Sequence, residues 1–266
     1  MKIILYDEGA SEALDIGEVA AYLARQLAGS DVECRPSPLT TASPEELAEY
    51  ARRVATMRIS SPTEKLESPD PPLYAEVEFE KRRLLGTSKA FGVAYDGVRL
   101  QKLFAAAIPA DERRLGTAGI FLSNRLFTTW DNGDRRYHFR SSVMGVPTLI
   151  STTGIVEAPA KPREYYLLKQ QYEAMKKDLT EINDRFRGRF IDYDDERLTE
   201  VVKGLAMQAV SYALADDPFC EDRGCRFYNA HWQEELIFAQ LTSDYEFCPR
   251  HRQWLARIDS AAGLHT

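Results

Sequence analysis

The spacing of apolar residues changes along this chain, and the changes outline its elements. In the first third, short apolar runs alternate with helical periodicity. Lys2 to Tyr6 reads as a buried strand, and Asp15 to Leu27 as an amphipathic helix with Ile16, Val19, Ala20, Leu23 and Leu27 on one face. Val32 to Arg35 reads as a second strand. Ser43, Pro44, Glu45 and Glu46 then supply an N-cap, a proline at the first helical position and acids in the first turn. The helix they open is expected to run to about Met57. Residues 59–75, rich in Ser, Pro and Glu, predict a loop, and a helix is expected around Leu100 to Ala107.

Strands follow at Gly119 to Phe127, Arg136 to Ser142 and Thr148 to Thr152. The Asn132-Gly133 turn predicts that Ile120–Phe127 and Tyr137–Ser142 pair as an antiparallel hairpin. From Pro162 the pattern becomes helical. Arg163 to about Phe186 carries Leu167, Leu168, Tyr172, Met175 and Leu179, a helical insertion at about 160–190. Asp195 to Ala215 is apolar nearly all round, which predicts a central buried helix. The fold class is α/β, a mixed sheet packed with helices in a single domain over 1–266.

Composition changes this picture little. The 266 residues are 44% hydrophobic and 28% charged, ordinary for a globular protein. No apolar run approaches a membrane span, and the first strand reaches Asp7 too soon for a signal peptide. A cytoplasmic protein is expected. The net charge of −7 disfavours nucleic acid or an anionic membrane as partner. Arg82-Arg83, Arg113-Arg114 and Arg135-Arg136 are scattered pairs that read as solvated surface.

The cysteines change more. Cys34 stands alone, whereas Cys220, Cys225 and Cys248 cluster with His251 in the pattern C-x4-C-x22-C-x2-H. Thiolates and an imidazole in two close-spaced pairs are the donor set of a tetrahedral zinc site. Gly224 suits a tight turn in the first half, and Pro249 stiffens the second. Four protein ligands close the coordination shell, so one structural Zn²⁺ over 219–255 is expected, with no position left to activate water. The bland alternative is three small buried apolar cysteines.

These residues resemble the C-terminal part of the archaemetzincins, zinc metallopeptidases of the metzincin group. In that family an H-E-x-x-H-x-x-G-x-x-H helix is followed at once by a cysteine and a C-x4-C that a distant C-x-x-C completes. Cys220 and Cys225 match the C-x4-C, and Cys248-Pro249-Arg250-His251 resembles the closing pair with His in its last place. The resemblance implies a metzincin-like fold, with its specific match confined to about the last 60 residues. It would place the three catalytic zinc ligands at Ala209, Ala213 and Phe219, the glutamate at Val210, the glycine at Asp216 and the turn methionine at Phe227. None of these residues can do that work. Without ligands there is no water of lowered pKa, and without the glutamate no general base. The resemblance thus implies a degenerate relative, inactive as a metzincin protease, that acts by binding an extended peptide or protein partner. A metzincin cleft lies beside an edge strand, and the region Ile120 to Ser142 is the candidate surface for strand addition.

Other constellations are weaker. His231 and Glu235 stand at i, i+4, a spacing that on one helix face suits a metal; with Glu234 they form the alternative, a metal-dependent hydrolase or peptidase with a relocated site. Arg136, His138 and Arg140 share one strand face, most simply a sheet-edge cluster. Asp192, Asp194, Asp195 and Glu196 precede the central helix, where acids suit its N-terminus.

Overall fold

The structure, a computed structural model, describes residues 1–67, 70–86, 92–114 and 116–263. Ile3, Ile4 and Leu5 are fully buried because β1 (Lys2–Asp7) lies inside a five-stranded sheet. A capped helix α1 (Ile16–Gln26) leads to β2 (Asp31–Pro36), parallel to β1. The Ser43 capping box opens α2 (Pro44–Ala55), as its residues predict. The chain then forms β3 (Arg58–Ile59), α3 (Tyr74–Leu84), β4 (Ala94–Asp96) and α4 (Gly97–Ala107). Helix α3 was not legible in the apolar pattern, because its one-sided stripe is weak and Glu80 and Arg83 are among its buried residues.

The expected strand 119–127 is two strands in two sheets. The first, β5 (Thr117–Ser123), is wholly buried and pairs with β1 in the five-stranded sheet. The second, β6 (Leu126–Asp131), pairs with β4 and with β7 (Arg136–Arg140) in a four-stranded sheet. The break falls at Asn124-Arg125, where Arg125 turns inward to buried acids. The hairpin is therefore β6–β7, with Thr129 opposite His138, and Ile120 lies in the sheet interior. The expected strand 136–142 also divides. After Arg140 the chain crosses to the first sheet as β8 (Ser142–Val143), antiparallel to β9 (Thr148–Ser151). The resulting orders are β2-β1-β5-β9-β8 and β3-β4-β6-β7. Strand β8 is the antiparallel edge of a sheet that is otherwise parallel.

Side chains alternate across β1. Ile3 and Leu5 join a core with α1 and the central helix, while Ile4 and Tyr6 join one with α2 and α4. Helix α5 (Thr152–Glu157) follows β9 directly. Its Gly154 has no space for a side chain: a Cβ would lie 2.1 Å from the Arg140 carbonyl oxygen. Gly154→Ala is expected to destabilise the protein by about 3 kcal/mol, since a backbone group cannot step aside as a side chain does. An unchanged urea midpoint would refute this close packing of α5 on β7.

The helical stretch from Arg163 is α6 (Arg163–Ala174) and α7 (Thr180–Arg185), broken where Lys176 takes a left-handed conformation. Tyr165, Ile182, Phe186 and Phe190 give this pair its own small core. The central helix is α8 (Leu198–Ala215), which stops at Asp216 in the left-handed region with φ 53°. The expected first turn at Asp195 lies just outside the helix, whose N-cap is Arg197; the Asp195 carboxylate accepts from the Arg197 N–H and guanidinium. Val201, Val202, Met207 and Val210 of α8 are fully buried, and each contributes about 1.5–3 kcal/mol. Short α9 (Gln233–Ile237) and α10 (Pro249–Gly263) follow. Among the described residues, no helix is long and apolar enough to cross a membrane.

Candidate metal centre

Two segments, the loop 220–227 and the start of α10, bring Cys220, Cys225, Cys248 and His251 together. The Cys220 N–H donates to the Phe227 carbonyl at 2.8 Å, closing a loop, and the Cys225 N–H donates to the Asp222 carbonyl at 3.0 Å inside it. Asp222 Oδ1 accepts from the Gly224 N–H at 2.9 Å and from the Tyr245 hydroxyl at 2.6 Å, which ties this loop to residues before Cys248. Gly224 is needed for close approach, since a Cβ there would meet Ser243 Oγ at 2.7 Å and Tyr245 Oη at 2.8 Å. Cys248 immediately precedes α10, and His251 lies in that helix's first turn.

The four ligand atoms all lie within 4.8 Å of one another. Cys220 Sγ and Cys248 Sγ are 3.9 Å apart, and His251 Nδ1 lies 3.4 Å from Cys225 Sγ and 3.2 Å from Cys248 Sγ. A tetrahedral zinc with ordinary bond lengths requires edges of about 3.8 Å between sulfurs and about 3.6 Å from sulfur to nitrogen. The donor set therefore fits the ion by chemistry and by size.

Electrostatics point the same way. Burial pushes the Cys225 thiol up to about 12, raises that of Cys220 and lowers the basicity of His251. In so dry a place thiolates are unfavourable unless a cation compensates them, and a bound cation reverses that balance. The Phe227 ring packs edge-on against the His251 imidazole at 4.5 Å and touches Phe247 and Trp254. All four side chains are buried, so a metal here would be closed off from substrate.

The positions that the archaemetzincin resemblance assigns to catalysis lie elsewhere. Ala209 and Val210 are buried in the main core, Ala213 packs against it, and Asp216 caps α8. Phe219 lines a cleft of ≈ 920 Å³. That cleft is walled by β7, by β8 with Ser141 and Met144, by Leu205 and Gln208 of α8, and by Tyr228 to His231. Within the candidate surface Ile120 to Ser142, the residues that line this cleft are Thr128, Thr129 and Arg136 to Ser142. Gln208 was missed, although one amide in so apolar a helix was a signal. Its Nε2 donates to the carbonyls of Arg226 at 3.0 Å and Tyr228 at 3.3 Å, fixing the opposite wall.

His231 and Glu235 do not share a helix face, because α9 begins only at Gln233. Glu235 Oε2 accepts from the His231 and Trp232 N–H groups at 3.0 and 3.2 Å and caps the helix instead. Glu234 is exposed and paired with Arg189. At the β6–β7 turn, exposed Asp134 Oδ2 accepts from His138 Nε2 at 2.6 Å, with Asp131 nearby.

No curated protein matches the chain. Two solved structures are similar along nearly its whole length. An archaemetzincin from Methanopyrus kandleri is 12% identical with a TM-score of 0.44, covering 97% of this chain and 94% of that one. A zinc-dependent peptidase from Methanocorpusculum labreanum is 14% identical with a TM-score of 0.45, covering 96% of this chain and 100% of that one. The model of one family matches residues 1–258. The chain accordingly belongs to DUF6775, described as a probable metallopeptidase family.

Proposed function

We propose that this member of a metallopeptidase-like family does not hydrolyse peptides, holds one structural zinc at Cys220, Cys225, Cys248 and His251, and acts by binding an extended peptide or protein segment. The observation that carries this reading is the cleft beside β8. It keeps a substrate-sized volume of ≈ 920 Å³ and an antiparallel edge strand. The helix face behind it offers Leu205 and Gln208, with Phe219 beyond, and none of these is a zinc ligand of the usual kind. An edge strand gives an incoming chain backbone hydrogen bonds, and pockets beside it select alternate side chains. The relocated hydrolytic site has less support, because the carboxylates of Glu234 and Glu235 are committed to Arg189 and to the helix cap.

The test is selection from a random peptide library with zinc-loaded protein, read by fluorescence anisotropy and by mass spectrometry of the peptides. Saturable binding with the peptides intact is expected. Phe219→Glu, a change at an accessible cleft residue, should remove binding while leaving the melting temperature unchanged. Chelator-sensitive cleavage would overturn the non-catalytic reading, and binding indifferent to Phe219→Glu would overturn the cleft.

A further inference from the structure

A second cleft, of ≈ 850 Å³, opens at the carboxyl ends of the parallel strands, away from both the cysteine cluster and β8. Strand β1 has β2 on one side and β5 on the other. Its connection to β2 runs through α1 on one face of the sheet, whereas α2 and α4, which precede β5, pack on the other. Connections that leave to opposite faces open a crevice beyond the strand ends, the usual ligand position in open α/β sheets. Here the loops after β1 and β5 form it, bridged by Asn124 Nδ2 donating to the Gly9 carbonyl at 3.0 Å.

Two independent features say what this crevice would take. The first is an unmatched acceptor. Glu8, part of the wall, is 8% exposed; its Oε1 accepts from Arg125 Nε at 3.0 Å, and its buried Oε2 meets no donor of the protein. An unmatched buried oxygen is unfavourable, the more so when it carries charge. The second is charge. Asp7, Glu8, Glu12, Asp192 and Asp194 line the cleft. Against these five acids stand two arginines: Arg35, ion-paired with Glu33 and Glu112, and Arg83, held by the neutral Tyr95 and Asn124, so negative charge prevails in the wall.

The geometry points to a binding site for a linear oligoamine, with one ammonium group donating to Glu8 Oε2 and another near Asp192 and Asp194. A single metal ion suits the cleft poorly. Among the described residues, these carboxylates do not gather within 4.8 Å as the cysteine cluster does, whereas a metal needs converging oxygens. Separated carboxylates with apolar wall between them, from Ile16, Leu84, Val156 and Leu198, match ammonium groups joined by methylene spacers.

Spermidine titrated into the full, zinc-loaded chain by calorimetry tests this. One saturable site is expected, weakened at least about tenfold in Glu8→Gln, the worth of one charge-assisted hydrogen bond. Because Glu8→Gln also touches Arg125, a second variant is needed. Asp192→Asn combined with Asp194→Asn changes exposed loop residues, keeps the left-handed turn at Asp194 comfortable, and should weaken binding several-fold. Exposed Cys34 lies in the same wall, so spermidine should slow its alkylation. Absence of saturation, several equivalent weak sites, or binding unchanged in both variants would overturn the site. So would equally tight one-site binding of Mg²⁺ that displaces spermidine.

Discussion

Cys220→Ser is expected to lower zinc content from one ion per chain to near zero and to loosen the C-terminal region. Elemental analysis of protein purified at neutral pH reads the first effect, and hydrogen exchange over residues 217–258 reads the second. The magnitude follows from linkage: a metal held at a thousand times its dissociation constant contributes about 4 kcal/mol, all of it lost with the site. Burial explains why one ligand is enough. The remaining thiols and His251 lie beneath Phe227, where a three-ligand ion would need solvent as its fourth partner. Cys248→Ser should behave alike. Cys34→Ser should leave both readouts unchanged, since Cys34 is exposed and apart from the cluster. Acid should release the ion as well, because protons compete with zinc for the thiolates. Unchanged melting of both ligand variants with zinc still bound would remove the structural site from the account. Two ions in the unsubstituted protein would point to another constellation, with His231 or His138 the first to examine.

How much of this was legible in the sequence depended on how local the signal was. Helices α1, α2 and α8 declared themselves through periodicity and caps, because Asp15 and Ser43 satisfy amides within three residues of themselves. The cysteine cluster was legible because paired spacing places two ligands on each of two turns. The break between β5 and β6 was not, because its cause is distant. Arg125 turns inward to meet Glu8, 117 positions away, and Glu80, 45 positions away, so the apolar run continues across a point where the backbone must leave the sheet. The crossing from β7 to β8 was hidden for a similar reason. One continuous strand pattern serves two sheets, and that crossing creates the edge beside the cleft. The i, i+4 reading of His231 and Glu235 failed more simply: Glu235 was better used as a cap three residues inside the helix start than as a ligand.

The same buried arginine should give the largest loss of stability outside the metal centre. Arg125 is 2% exposed, bonded to Glu8 at 3.0 Å and to fully buried Glu80 at 2.6 Å, with its guanidinium over the Tyr95 ring. Burial alone would make it easier to deprotonate, yet the charge of Glu8 and its other acidic neighbours holds its pKa above the ordinary value. Arg125→Ala would leave Glu8 in the core without its cation and leave Glu80 with only the Tyr95 hydroxyl at 2.7 Å and Arg58 at 3.8 Å, at a cost of about 3–5 kcal/mol. Urea unfolding at neutral pH measures it. Arg125→Met combined with Glu8→Gln and Glu80→Gln should recover most of the loss, since the cost comes from unpaired charge and only secondarily from lost contacts. If Arg125→Ala instead cost less than about 1 kcal/mol at neutral pH, the β5–β6 break would need another explanation. If the triple variant stayed as unstable as the single one, packing against Tyr95 would be the dominant contribution. In either case Glu8 would have to be reconsidered, because the second cleft depends on Arg125 holding one of its oxygens and leaving the other unbonded.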